Sequence, residues 1–258
     1  MRKLTLILLL LPFIFSSCDK KEKKEKLEKY TIEQFMDNTS IMGSSFSPDK
    51  KKIMYTSNED GYYNAYAVHV DGSETEQLTE RKETTYGIGY FPEDERILFM
   101  SDSGGNEIYH IYMREQDGTI KDITPFEGSR ASFAGWSRDE KSFFFSSNKR
   151  DKKYMDYYEM PLENMEPEMI FENNKGYNLG AISNNKKLMA FSKVLTRTNT
   201  NMYLYDRESN EMKLLSEHEG EATYSPVDFS DDNKYLYFLT DEGSEFNYLK
   251  KMELSSGK

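Results

Sequence analysis

One pattern of apolar and polar positions returns five times between residues 40 and 258. Each round has an aromatic or aliphatic anchor, a polar turn rich in Asp and Lys, an apolar run ending in Ser or Thr, a polar loop and a Tyr-rich run. The first round reads Phe46-Ser47-Pro48-Asp49, then Ile53-Met54-Tyr55-Thr56-Ser57, then Ala65-Tyr66-Ala67-Val68. The second reads Phe91-Pro92-Glu93-Asp94, Ile97-Leu98-Phe99-Met100-Ser101 and Ile108-Tyr109-His110-Ile111-Tyr112. Trp136-Ser137-Arg138-Asp139 with Phe143-Phe144-Phe145-Ser146-Ser147 opens the third, and Ile182-Ser183-Asn184-Asn185 with Leu188-Met189-Ala190-Phe191-Ser192 the fourth. The fifth has Phe229-Ser230-Asp231-Asp232 and Tyr235-Leu236-Tyr237-Phe238-Leu239-Thr240. The anchors Phe46, Phe91, Trp136, Ile182 and Phe229 stand 45, 45, 46 and 47 residues apart.

These β-prone runs, divided by turn chemistry such as Asp71-Gly72-Ser73 and Asp117-Gly118, predict three or four short strands per unit. Four strands in about 45 residues is the size of a β-propeller blade. A helical solenoid would need a 3.6-residue period, which is absent, and a β-helix would need shorter rungs. The expected fold is all-β, with about five four-stranded blades near residues 40–80, 86–128, 131–175, 177–219 and 223–258. Leu254-Ser255-Ser256-Gly257-Lys258 matches the turn Asp71-Gly72-Ser73, so the last blade is expected to be incomplete.

Before each anchor lies a stretch rich in Gly, Ala and Ser, such as Tyr86-Gly87-Ile88-Gly89-Tyr90 and Leu179-Gly180-Ala181. Small side chains suit the innermost strands, which crowd around a propeller axis. The aromatics further out are expected to fill the space between blades. In the turns, Lys50, Glu140, Lys186 and Asn233 stand at one equivalent place, and of these only Asn233 is at ease with the positive φ that a glycine-type turn needs. Turns of another type are therefore expected there.

The N-terminus breaks the pattern. Met1-Arg2-Lys3 precedes an apolar run from Leu4 to Phe15. As a helix this run spans about 18 Å, short of the ~30 Å bilayer core, and reads as the centre of a signal peptide. It ends Phe15-Ser16-Ser17-Cys18, which resembles a bacterial lipobox, although Phe15 departs from the usual Leu. That resemblance implies a signal peptide over residues 1–17, lipidation of Cys18 and a membrane anchor; the alternative is an ordinary signal peptide before an incidental cysteine. Residues 18–29 then form a charged tether, Lys-rich and unable to bury apolar surface.

Composition removes whole classes of function. The chain carries a net charge of −11 with mean hydropathy −0.80, so nucleic-acid binding through clustered Lys and Arg is not expected. A single cysteine excludes an intrachain disulfide and a Cys-based zinc site. His69, His110 and His218 are read as inter-strand or surface residues. No Walker loop, His-Glu-x-x-His or EF-hand spacing occurs, and no cofactor or metal is expected. Asp241-Glu242-Gly243-Ser244-Glu245 reads as a solvated hairpin tip rather than a calcium loop.

Phe46 to Asp49, Ile53 to Ser57, Asp71-Gly72 and Gln77-Leu78-Thr79 resemble the β-propeller repeat of TolB and the S9 (prolyl oligopeptidase) serine peptidases. Ser101-Asp102-Ser103-Gly104-Gly105-Asn106-Glu107, Asp122-Ile123-Thr124-Pro125 and Leu239-Thr240-Asp241-Glu242-Gly243-Ser244-Glu245-Phe246 strengthen the likeness to envelope S9 enzymes. The resemblance implies an open arc of a larger propeller that gates peptide access to an α/β-hydrolase domain. That domain would carry a Gly-x-Ser-x-Gly elbow, which this chain lacks, so no catalytic residue is assigned and no catalysis is expected from it alone. A longer enzyme, of which this is the front part, follows as an expectation.

The alternative is a complete, TolB-like, lipid-anchored scaffold binding envelope proteins, with Tyr30-Thr31-Ile32-Glu33-Gln34-Phe35 supplying the outer strand that closes a five-bladed ring. A propeller glycosidase would need paired carboxylates near the axis, where the inner strands offer only Asp228. Either main reading places the chain in the bacterial cell envelope, periplasmic or surface-facing, with peptides or envelope proteins as partners.

Overall fold

The computed structural model describes residues 29–257, so Cys18, the signal peptide and nearly all of the tether lie outside the described residues. The chain divides into two compact units, the boundary falling between Asn38 and Thr39. In the first, α1 (Ile32–Met36) is a short helix. The Thr31 hydroxyl accepts from the Gln34 N–H at 3.2 Å, and Gln34 Oε1 accepts from the Thr31 N–H at 2.9 Å. This reciprocal capping box makes the segment helical despite its β-prone residues. The expected closing strand over Tyr30–Phe35 is therefore corrected to a capped helical turn.

The second unit contains five antiparallel sheets in chain order. Blade one holds β1 (Ile41–Phe46), β2 (Lys52–Ser57), β3 (Asn64–His69) and β4 (Thr75–Gln77). Blade two holds β5 (Thr85–Tyr90), β6 (Ile97–Ser101), β7 (His110–Arg114) and β8 (Ile120–Asp122). Blade three has β9 (Ala131–Trp136), β10 (Ser142–Ser147), β11 (Asp156–Pro161) and β12 (Glu168–Phe171). Blade four has β13 (Asn178–Ile182), β14 (Leu188–Thr196), β15 (Asn199–Asp206) and β16 (Glu211–Leu214). Blade five has three strands among the described residues: β17 (Tyr224–Phe229), β18 (Tyr235–Thr240) and β19 (Tyr248–Glu253).

The second strand of each blade shows how the sheets stack. Cross-strand register aligns Ile53, Ile97, Phe143, Met189 and Leu236, and two residues on, Tyr55, Phe99, Phe145, Phe191 and Phe238. Side chains alternate between sheet faces along a strand, so all of these look toward the preceding blade. From blade two onward they are buried, while Ile53 and Tyr55 stay half-buried, with no sheet packed before blade one among the described residues. On the opposite face Met54, Leu98, Phe144 and Ala190 are buried by the following blade, whereas Tyr237 in blade five is half-exposed. Among the described residues, four hydrophobic clusters join the five sheets pairwise, as in an open arc; a closed ring would carry a fifth.

The same register corrects one anchor. Phe46, Trp136, Ile182 and Phe229 face the first residue of the apolar run, and in blade two that place belongs to Tyr90 rather than Phe91. Phe91 occupies the position of Ser47, is buried between blades two and three, and meets Trp136 edge-to-face with ring centroids 5.4 Å apart.

The turns also differ from expectation. Lys50, Glu140, Lys186 and Asn233 all adopt positive φ, between 57° and 61°, so the glycine-type turn persists without glycine. Each left-handed non-glycine residue costs about 1–2 kcal/mol, and local hydrogen bonds offset it. The Ser47 hydroxyl donates to Asp49 at 2.7 Å and accepts from the Lys52 N–H at 2.9 Å, while Asp49 accepts from the Lys51 N–H at 3.0 Å. Ser137–Asp139, Ser183–Asn185 and Ser230–Asp232 repeat this arrangement. A second device explains Leu78-Thr79 and its counterparts Ile123-Thr124 and Leu215-Ser216. The hydroxyls of Thr79, Thr124 and Ser216 accept from the N–H groups of Ala65, Ile111 and Met202 at 2.9, 2.8 and 2.7 Å, tying the rims of blades one, two and four to their third strands.

Candidate functional site

The first strand of every blade carries a β-bulge at the same place. Opposite the second strand, Ile88, Ala134, Gly180 and Val227 are the extra residues, and Gly43–Ser44 stands there in blade one. A bulge adds twist and turns its extra residue away from the sheet. Here it lines the inner edge of the arc with uncharged residues, small ones at Ala134 and Gly180. Close approach is real at Gly180, where an added Cβ would lie 2.4 Å from the Pro226 carbonyl oxygen of the next blade. A crevice of about 320 Å³ opens there, bounded by Ala134, Gly135, Leu179, Gly180, Val227 and Asp228. Arg138 at its rim pairs with Asp231 at 2.9 Å, tying the turn of blade three to that of blade five. Asp228 is the one carboxylate lining it among the described residues, and it accepts from the Phe229 N–H at 2.8 Å.

A larger crevice, about 550 Å³, lies where the loop between the second and third strands meets the connectors leading into blades three and four. Its floor is internally satisfied. The Tyr157 hydroxyl donates to the Tyr177 carbonyl at 3.2 Å and accepts from the Leu179 N–H at 2.9 Å. Asn173 donates to the carbonyls of Met155 and Tyr177 and accepts from the Tyr177 N–H. Burial pushes the phenols of Tyr157 and Tyr109 upward, with Tyr86 beside Tyr109 adding to the effect, so both stay protonated at neutral pH. Tyr63, Tyr86 and Tyr109 form a tilted aromatic row, 5.7 and 5.9 Å apart, leading to this crevice. Arg130, Lys153, Ser132 and Ser146 also line it, and none of these side chains has a hydrogen bond or ion pair among the described residues.

A third crevice, about 450 Å³, holds a self-contained charge network. Lys186 Nζ donates to Glu159 at 2.9 Å and Ser142 at 3.0 Å, with Asp139 3.1 Å away. Burial works against the charged lysine, but these partners outweigh it and raise its pKa. The arrangement braces blades three and four.

The histidines fall on separate elements. His110 pairs with Asp122 at 2.7 Å, His69 lies 3.9 Å from Glu74, and His218 contacts the Ser216 carbonyl at 2.7 Å in the link between blades four and five. In the 241–245 loop, Asp241 accepts from the Thr223 N–H and Glu242 pairs with Lys250. No group of three His, Cys, Asp or Glu side chains is placed to hold a metal among the described residues. Sequence reading missed the donors of the large crevice. Arg130 and Lys153 sit 23 positions apart in unremarked loops, and only the blade repeat places both loops at one end of the sheets.

No protein-family model matches the chain, and no curated protein matches it by sequence. Its fold is that of propellers of known structure. TolB from Acinetobacter baumannii matches with a TM-score of 0.54 over 84% of this chain and 53% of its own, at 19% identity. One of two structurally analysed prolyl endopeptidases matches at 0.62 over 84% and 35%, with 13% identity. An oligogalacturonate lyase in complex with manganese matches at 0.63 over 84% and 67%, with 14% identity. The chain thus spans about half the length of that TolB and about a third of that endopeptidase. At these identities the likeness carries the propeller fold alone.

Proposed function

We propose that the chain is the non-catalytic propeller of an S9-type serine peptidase of the cell envelope, admitting peptides toward an α/β-hydrolase domain. The observation that carries this reading is the row of inner-strand bulges, which lines the inner edge of the arc with uncharged residues and opens a crevice of about 320 Å³ beside Gly180. The fold match to a prolyl endopeptidase supports it. Selection in such a device is steric, so the blades need no reactive residue. The apolar residues left half-buried at the two ends of the arc, Ile53 with Tyr55 and Tyr237, favour further blades beside them. An envelope address is supported by the lipobox-like run before Cys18 and by the likeness to TolB.

Two measurements test this. The purified full chain should take no label from a serine-directed fluorophosphonate and should bind unstructured peptides while ignoring the same segments inside folded domains. Labelling, or binding confined to folded proteins, overturns the reading. Cells fed a clickable palmitate analogue should label the chain, and Cys18→Ser should abolish that label.

A second reading, a TolB-like protein-binding scaffold, is favoured by the arm of blade four. β14 and β15 run beyond the other blades' strands and expose Val194 and Leu195. The arm is fastened by Thr200, whose hydroxyl accepts from the Tyr224 N–H at 2.6 Å and donates to the Tyr224 carbonyl at 2.9 Å. Two aliphatics held rigidly in solvent suit a folded partner. Capture of such a partner, lost on Val194→Asp, would select this reading.

A further inference from the structure

The large crevice has a charge opposite to that of the molecule. The whole chain is −11, yet the charged groups lining the crevice are Arg130, Lys153 and a single acid, Glu107. Neither cation is ion-paired among the described residues. Ser132 and Ser146 are directly opposed on β9 and β10, so their side chains stand side by side on one sheet face. Neither hydroxyl has a partner among the described residues. Both are partly shielded from solvent, whereas the neighbouring Tyr157 and Asn173 are buried and fully engaged in hydrogen bonds. The floor is therefore held by its own hydrogen bonds and leaves four donor groups without an acceptor among the described residues, two cationic and two neutral, lining one space; Lys153 Nζ lies 5.0 Å over the Tyr154 ring, which leaves its N–H groups without an acceptor. Half-buried Tyr109 and Tyr154 give that space aromatic walls.

Donors without acceptors, between aromatic walls, fit a small planar anion attached to an apolar chain. We infer that this crevice is a carboxylate-recognising peptide subsite, in which Arg130 and Lys153 pair with the carboxylate and Ser132 and Ser146 donate to its oxygens. Arg holds a carboxylate in a two-pronged geometry, and charge-assisted hydrogen bonds are the stronger kind. The surrounding negative field repels anions at long range but is screened beyond about 8 Å at physiological salt, so the local donors decide binding. The inference rests on the peptide-handling reading and adds to it a preference for the free carboxyl end or an acidic side chain.

The test is fluorescence polarisation on the purified full chain with three fluorescein-labelled probes of one unstructured, aromatic-containing peptide. The first has a free C-terminal carboxylate, the second a C-terminal amide, and the third the amide with one internal Glu. The carboxylate probe should bind about tenfold tighter than the amide, the size of one charge-assisted contact. The third probe shows whether a side-chain carboxylate serves equally. In Arg130→Gln and Lys153→Gln, both solvent-exposed substitutions, this preference should vanish while the amide still binds as before. Equal binding of carboxylate and amide by the wild type, or a preference that survives both substitutions, overturns the carboxylate subsite and leaves peptide handling standing. Binding of none of the three probes overturns peptide handling and the subsite together.

Discussion

Gly180→Ala isolates the contact between blades four and five. The φ of Gly180 lies outside the left-handed region, so alanine meets no backbone penalty there. The methyl group would stand 2.4 Å from the Pro226 carbonyl oxygen and 2.6 Å from Pro226 Cγ, whereas ordinary contact begins near 3.4 Å. The two inner strands must therefore part by about 1 Å, and overpacking of this kind costs ~1–3 kcal/mol. Replacing glycine also narrows the unfolded ensemble, which returns about 0.4–1 kcal/mol. The net expectation is destabilisation by about 1–2 kcal/mol, or a Tm lower by about 2–8 °C for a domain of this size. Thermal melts followed by far-UV circular dichroism read it directly. Gly87→Ala is the control. Its methyl group would meet only side-chain atoms, Met54 Cε at 3.1 Å and Thr56 Oγ1 at 3.3 Å, and the flexible methionine can yield. If Gly180→Ala melts at or above the wild-type temperature, the inner strands are not packed as described. The same conclusion follows if Gly87→Ala is the more damaging of the pair.

Other outcomes follow from the repeat. Phe145→Ala should cost ~3–5 kcal/mol, because Phe145 is fully buried between blades. Tyr55→Ala, at the matching position of blade one, should cost well under half of that; equal urea midpoints would place a neighbour against blade one. Glu140→Val should be less stable than Glu140→Gly by about 1–2 kcal/mol, since a β-branched side chain tolerates the left-handed turn worst; urea titration of the pair checks it. The turn aspartates predict acid sensitivity. The Ser230 hydroxyl and the Lys234 N–H hold Asp232 down to about 2, and the Lys51 N–H and Ser47 hydroxyl lower Asp49. Depressed carboxylates stabilise fully above the unfolded value near 4 and lose that contribution as pH falls through the folded one, between about pH 4 and 2. Asp49→Asn with Asp232→Asn should flatten this acid limb in urea midpoints, because Asn185 already fills the same turn role uncharged; an unchanged limb refutes the assignment.

Much of the architecture is legible in the chain itself. Side-chain alternation along a strand is a local property, so a residue run such as Ile97-Leu98-Phe99 announces a sheet buried on both faces. Its return at near-constant spacing announces blades. The turns were harder to read, because propensity argues against lysine at positive φ and the compensating hydrogen bonds from Ser47 and Asp49 become visible only when the turn is closed. In Thr31-Ile32-Glu33-Gln34 two local signals competed, and the capping box prevailed over β-propensity.

Sequence alone thus determined the strands, their grouping into blades and the kind of core between them, since each rests on periodicity within a few dozen residues. Tertiary structure alone decided which residues meet across blades. The bulges that shape the axis arise from register, a one-residue mismatch between paired strands with no compositional mark. The gathering of Arg130, Ser132, Ser146 and Lys153 likewise depends on strand pairing and on loops from successive segments emerging at one end of the sheets. Binding surfaces on a repeat fold are made between its units, and no single unit's sequence describes that space.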